Sequence, residues 1–356
     1  MTLKELNFII HKESKSSTYK FALLRATIDI INNHSENIHF KNNRAYLPIG
    51  LFAIKWIEYF YPIFQNKKWI KAQTTAPKLA FETELLAATK YYNKVAGLNT
   101  LYDNLFKGID NIEEKTLIQK LIRKLCSTIK LQPMRYFGSS IKNEGYSVYN
   151  LEPVSRTNRD NSITMSSILS ANKTVSIPLE FFKLLEDLGT FLSGEQNILF
   201  QWSNFCATSG SNRRLDKLEI LNVLLQSKAV NRNTNEAKKL VNQFGPARCV
   251  WDGSNITNFE IDHVFPYSIY FNNSLWNLLP SKSTTNNKKR AKIPTVERIE
   301  NSKERIITYW GHYERNPKFM NEFSFDLNCN TFNEGIERMK KKSDYLINNK
   351  GYEPWK

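Results

Sequence analysis

Cysteine is scarce in this chain and scattered where it occurs. Cys126, Cys206, Cys249 and Cys329 form no C-x-x-C pair, which argues against a disulfide framework and a cysteine-ligated zinc, and for a reducing, cytoplasmic setting. Long apolar runs are lacking as well. The most apolar stretch, Leu47 to Phe64, is interrupted by Lys55 and Glu58, so it reads as a buried helix rather than a membrane span. The opening MTLKELNFIIHKESKSS mixes charges with its apolar residues and has no cleavage-site pattern, so no signal peptide is expected. Acidic residues are the other shortage: 34 Asp and Glu stand against 50 Lys and Arg, a formal charge of +16. Such a surplus favours a polyanionic partner, because neutralised phosphates release counterions. A soluble protein from a lysine- and asparagine-rich proteome would also carry it.

What is present is globular in composition, with 41% hydrophobic and 13% aromatic residues in 356, enough for two or three domains. From Ser17 to Ile31, Phe21, Leu24, Ile28 and Ile31 recur at helical steps. Leu47 to Phe64 covers much of a helix circumference with Leu51, Ile54, Trp56, Ile57, Phe60 and Tyr61, which predicts a central helix. Pro77 to Tyr92 and Glu113 to Lys130 read as further helices. The latter sets Leu117, Leu121 and Leu125 on one stripe and Lys115, Lys120, Arg123 and Lys124 on another. Residues 1–130 are thus expected to form an all-helical N-terminal domain.

Between Pro133 and Ser176 the pattern changes to short alternating runs, predicting a loop and short-strand segment over 131–176. Arg135, Lys142, Arg156 and Arg159 lie there among Tyr136, Phe137, Tyr146 and Tyr149. Such interleaving suits base stacking and phosphate contact, and equally suits an ordinary small sheet. Pro178 to Phe205 returns to helix, divided near Ser193-Gly194, and Arg213 to Gln226 and Glu236 to Phe244 follow. Residues 177–245 read as a helical linker or recognition region. Helices at Val296 to Trp310 and Asn333 to Asn348 predict a C-terminal cover over 297–356. The expected fold class is mainly α with a small α+β insert.

The chemistry is concentrated from Arg248 to Pro294. Phe259 and Ile261 alternate with polar neighbours in a strand that ends at Asp262 and His263, with Pro266 just beyond. Leu275 to Pro280 reads as a second strand, and Ser281 or Ser283 can cap a helix beginning near Thr284. Strand, loop, strand and helix make a compact ββα unit. Phosphodiester hydrolysis needs a base to activate water and a cation to stabilise developing charge. His263 has a suitable reference pKa, and Asp262 and Asn286 are hard oxygen ligands suited to Mg²⁺ or Mn²⁺. Lys288, Lys289, Arg290 and Lys292 follow at once, and no Asp or Glu occurs from His263 through Val296. With Lys282, the cations Lys288, Arg290 and Lys292 are candidate nucleic-acid contacts. Trp251 and Trp276 read as core, Asn255, Asn272 and Asn273 as turn residues, and Glu260 as an exposed strand residue or a partner to the site.

In order and spacing, Asp262-His263, Asn277 at 14 residues and Asn286 at 23 residues beyond His263 resemble the HNH nucleases of the ββα-metal fold. The likeness covers about Cys249 to Pro294, a minority of the chain, and implies an HNH unit over 246–296 embedded in helices. It is closest to the HNH domain of the RNA-guided CRISPR effector nucleases and to bacterial HNH defence and restriction proteins. The resemblance implies that His263 is the general base, that Asp262 and Asn286 bind one Mg²⁺ or Mn²⁺ per active site, and that Asn277 holds the inter-strand loop and orients the histidine. Lys289 matches a lysine that commonly follows the last motif asparagine; Asn286 is preferred over Asn287 on spacing. In Cys249-Val250-Trp251-Asp252 an aspartate stands where zinc-containing members have a second cysteine, so no structural zinc is expected. The function implied is a metal-dependent endonuclease on DNA, with RNA left open, in restriction or anti-phage defence. A mobile-element or homing endonuclease is the nearer alternative, and a nucleic-acid-binding subunit active only on assembly is the other. Partners would include a homodimer or a defence-system protein, and no membrane.

Overall fold

In the computed structural model, which describes residues 3–11, 18–65, 78–95, 97–139, 141, 146–152, 163–171, 174–192, 198–208, 216–226 and 232–356, the chain is mainly helical with small sheets. Ser17, Pro77, Lys142, Arg156, Arg159, Ser193, Gly194 and Arg213, which carried sequence expectations, lie outside the described residues. The chain divides into two units, Met1–Ala229 and Val230–Lys356. No helix among the described residues is long and apolar enough to cross a membrane.

In the first unit the helices are α1 (Leu3–His11), α2 (Tyr19–Asn33), α3 (Ile49–Gln65), α4 (Glu82–Tyr92), α5 (Leu98–Lys107) and α6 (Ile112–Leu131), then α7 (Pro133–Tyr136), α8 (Met165–Ala171), α9 (Leu179–Leu192), α10 (Ile198–Thr208) and α11 (Lys217–Gln226). Helix α3 is central because it is apolar nearly all round. Its Trp56 and Phe60 rings meet Phe81 at 5.6 and 5.1 Å, and Phe60 meets Trp202 at 5.5 Å.

The stretch expected to be wholly helical contains a hairpin, β1 (His39–Lys41) and β2 (Arg44–Pro48). Its turn residues Asn42 and Asn43 hold φ of 50° and 56°, the left-handed pair that matches the twist of a two-residue hairpin and that asparagine tolerates. With β3 (Asn150–Leu151) and β4 (Thr174–Pro178) they form an antiparallel sheet in the order β1-β2-β4-β3. Ala45 pairs with Ile177 and Leu47 with Val175, contacts far apart in sequence that no local periodicity reveals. The aromatic residues of the 131–176 segment divide by burial. Phe137 and Tyr149 are core, their rings 5.3 Å apart, with Tyr149 Oη 2.6 Å from Thr27 Oγ1, while Tyr136 is exposed.

The second unit holds α12 (Asn235–Gln243), β5 (Ala247–Arg248), β6 (Asn255–Ile256), β7 (Glu260–His263), α13 (Tyr267–Tyr270), β8 (Leu278–Ser281), α14 (Ser283–Lys289), β9 (Ile293–Pro294), α15 (Val296–Tyr313), α16 (Phe319–Leu327), α17 (Phe332–Asp344) and β10 (Pro354–Trp355). Strands β7 and β8 pair antiparallel from Glu260↔Ser281 to His263↔Leu278. The second strand starts later than expected, because Leu275–Asn277 forms a 3₁₀ turn closed by the Asn277 N–H on Ser274 O. One apolar core runs through the unit, joining Trp251, Leu278 and Trp276 to Trp310, Phe323 and Ile336 of the C-terminal helices. These helices also satisfy polar backbone: Trp310 Nε1 donates to Trp276 O at 2.9 Å, and Tyr313 Oη to Leu278 O at 2.9 Å.

Helix α17 approaches α16 closely at Gly335, where an added Cβ would lie 2.4 Å from Phe323 Cζ and 3.1 Å from Trp310 Cζ3. Gly335→Ala is expected to destabilise the protein by about 1–3 kcal/mol through overpacking, measured as a fall in denaturation midpoint. An unchanged midpoint would show that the two rings move aside at no cost.

Candidate active site

Alternation along β7 sends Asp262 and His263 to opposite faces. Asp262 is 3% exposed and has a partner on each oxygen: Lys289 Nζ lies 2.9 Å from Oδ1, and Trp251 Nε1 donates to Oδ2 at 2.8 Å. Lys289, fully buried, also donates to His263 O. Burial pushes its ammonium down from the ordinary lysine value, and the Asp262 charge and hydrogen bond pull it back up. One turn earlier on α14, Asn286 Nδ2 donates to Glu260 Oε2 at 2.7 Å. Helix α14 therefore lies along β7, with Asn286 reaching Glu260 and Lys289 reaching Asp262. The structure joins Asp262 to Lys289 directly, and it joins Asn286 to the carboxylate two residues before Asp262.

On the other face, His263 is 2% exposed. Its Nε2 lies 3.2 Å from Asn273 Oδ1, an oxygen that also receives the Asn233 N–H at 3.2 Å. An oxygen accepting a backbone N–H is an acceptor toward the ring too, so Nε2 carries the proton. The lone pair is left on Nδ1, which is buried and has no hydrogen-bond partner among the described residues. Burial pushes the imidazole down to about 4; the Asn273 bond opposes this, and the charges of Arg232 and Lys289 reinforce it. The ring is neutral near pH 7.

The loop between β7 and β8 is held from within and from behind. Asn277, fully buried, accepts the Phe265 N–H at 2.8 Å and donates to Phe265 O at 3.1 Å and Asn272 O at 3.3 Å. Behind it, α16 presents two buried carboxylates one turn apart. Asp326 Oδ2 accepts from Trp276 Nε1 at 2.7 Å and Asn272 Nδ2 at 2.8 Å, and Glu322 Oε2 accepts the Leu275 N–H at 2.9 Å. Thus Asn272 and Asn273, which read as plain turn residues, anchor the loop to α16 and hold His263 respectively. Trp251, expected in the core, is there and also donates to Asp262. Nothing in the sequence pattern singled out Glu322 and Asp326, although two acids four apart between phenylalanines, FMNEFSFDL, are a visible anomaly on an apolar helix face.

At the turn after β5, Asp252 Oδ1 accepts the Ser254 N–H at 3.0 Å, and Arg305 of α15 donates to Val250 O at 2.6 Å and Trp251 O at 3.2 Å. Side chains thus brace this turn. The basic residues after the motif separate into two kinds. Lys282 pairs with Asp252 at 3.7 Å and Lys292 with Glu353 at 2.5 Å, whereas Lys288 and Arg290 are exposed and have no carboxylate partner among the described residues.

Residues 1–224, well over half of the chain, match a family described as Domain of unknown function (DUF8808). The chain belongs to that family. In this DUF8808 protein a second family, described as HNH endonuclease, matches residues 253–295, the stretch that holds Asp262, His263, Asn277, Asn286 and Lys289. That stretch is an HNH endonuclease unit, which marks the DUF8808 protein as a nuclease and implies a nucleic-acid substrate. Searches of curated proteins and of solved structures give no match to the chain.

Burial pushes the Glu322 carboxyl up to about 8 from an ordinary 4.5, against the pull of Lys318 and the Leu275 N–H and with the added repulsion of Asp326 and Glu236. A raised acid favours the folded state most below its unfolded value and loses that advantage as pH climbs to the folded one. Stability is therefore expected to fall between about pH 4.5 and 8, by at most about 1.4 kcal/mol per pH unit for one proton. Glu322→Gln should flatten that slope in denaturant titrations across the window; an equal slope in both proteins would count against the assignment.

Proposed function

We propose that this protein is a metal-dependent endonuclease hydrolysing phosphodiester bonds in DNA, with His263 as its general base. The observation that supports this most is the state of the histidine: neutral, anchored through Nε2, with an Nδ1 lone pair that has no partner among the described residues. Nδ1 would take the proton of the attacking water, while Asn273 keeps the ring in the tautomer that leaves this nitrogen basic. Asn277 acts as a positioning residue, since all its polar atoms are spent on the loop. Lys289 sets the charge around Asp262, and Lys288 and Arg290, exposed and with no carboxylate partner among the described residues, are placed to meet phosphates.

The donor types present fit a small hard cation. Asp262 and Asn286 offer oxygen, and among the described residues no group of three or more His, Cys, Asp or Glu is arranged for a metal, so an ion here would complete its shell with water and substrate phosphate, as Mg²⁺ commonly does. It would share Asp262 with Lys289 and Trp251. When bound, Mg²⁺ or Mn²⁺ supplies charge stabilisation at the phosphate and the departing oxygen. Restriction or anti-phage defence is the setting we propose on the strength of the HNH resemblance, with one strand cut per unit and double-strand cutting through a homodimer.

Purified protein should nick plasmid DNA with Mg²⁺ or Mn²⁺ and fail with EDTA. His263→Ala should lower the rate by about 10²–10⁴-fold, the usual contribution of a general base, and Asn286→Ala should weaken the response to metal concentration. Equal cutting by wild type and His263→Ala would refute the assignment. Cutting of RNA alone would move the substrate class, and DNA binding without any cutting would favour a subunit that acts only on assembly.

A further inference from the structure

Helix α6 has one face committed and one face free. Ile118, Leu121, Ile122, Leu125 and Ile129 are buried in the first unit, which turns Lys120, Arg123 and Lys124 outward at three- and four-residue steps, all exposed. From Lys115 through Asn143 there is no Asp or Glu, although the stretch carries Lys115, Lys120, Arg123, Lys124, Lys130, Arg135 and Lys142. Among the described residues the side chains of Lys120, Arg123 and Lys124 have no hydrogen-bond or ion-pair partner. The stripe continues past Leu131, 61% exposed, to α7, where the Arg135 guanidinium lies 5.6 Å from the centre of the Tyr136 ring, itself 50% exposed. From Lys120 to Leu131 the ridge is about 17 Å long at 1.5 Å per residue.

We infer that the outward face of α6 is a docking surface for the phosphate backbone of duplex DNA, and that the DUF8808 region thereby grips the substrate of the nuclease unit. The assignment deepens the endonuclease reading and rests on its choice of DNA. Unpaired cations at regular spacing on a convex ridge suit a phosphate array, where each contact releases a counterion. The apolar face of α6 is already spent on the core, so it has none to bury in a bilayer as an amphipathic lipid-binding helix does.

The test uses the full chain carrying His263→Ala, so that binding proceeds without cleavage, and follows anisotropy of a labelled DNA duplex over rising KCl. Adding Lys120→Glu, Arg123→Glu and Lys124→Glu should lower affinity at least about tenfold at moderate salt and reduce the log-log salt slope by about 3, near 0.9 per lost phosphate contact. A control with the same charge change elsewhere in the first unit, Lys41→Glu, Lys107→Glu and Lys183→Glu, should leave the slope near the parent value; thermal melts establish that both variants fold. Equal losses in the two variants would overturn the proposal, leaving net charge as the cause. So would unaltered DNA binding by the α6 variant, including the case in which that variant instead loses binding to anionic vesicles or polyglutamate. Plasmid nicking by protein with His263 intact is scored separately: patch-dependent binding without nicking fails the nuclease reading alone, and nicking with patch-independent binding fails this one alone.

Discussion

A buried ammonium set against a buried carboxylate, Lys289 on Asp262, is the contact around which the nuclease unit is arranged. Removing two charges from water costs several kcal/mol each, and their attraction offsets that only when the remaining polar atoms also find partners. Here they do: Trp251 takes the second Asp262 oxygen, and His263 O takes a second Lys289 hydrogen. Losing either charge would leave the other buried alone, at about 3–5 kcal/mol. The pair therefore fixes α14 against the end of β7 and fixes the backbone at the residue whose imidazole faces the other way.

Rigidity at the histidine comes from a second set of contacts on the opposite face. Asn273 reaches Nε2, Asn277 closes the loop on Phe265, and the loop is tied to α16 through Asp326 and Glu322. Two carboxylates in an apolar helix face are costly unless every oxygen is used. Their presence makes α16, well outside the matched HNH residues, part of what holds the site. The C-terminal helices share one core with the ββα unit, and α15 contributes Arg305 to the turn that holds Asp252.

The order of the candidate site was legible because its residues sit close together in the chain and the spacing from His263 to Asn277 and Asn286 is set by a short loop and strand. Helices α2, α3, α6 and α15 were legible because burial on one face imposes a 3.6-residue period. The β1–β2 hairpin was not, although Asn42-Asn43 is a recognised turn pair, because its strands are short and its partner β4 lies far along the chain. Asn273 could not be told from a turn residue, since holding His263 depends on where the loop folds back.

The sequence by itself thus determined the class of chemistry, the helical character and the cationic surplus, all of which follow from local pattern and composition. Tertiary structure alone decided which carboxylate each α14 side chain meets: Lys289 reaches Asp262, and Asn286 reaches Glu260. It also decided that Nδ1 rather than Nε2 of His263 is left without a partner, and that Glu322 and Asp326 stand behind the loop. These outcomes depend on the register of a helix laid against a strand and on the burial that makes each unpaired polar atom costly, and neither quantity is written in the order of residues along the chain.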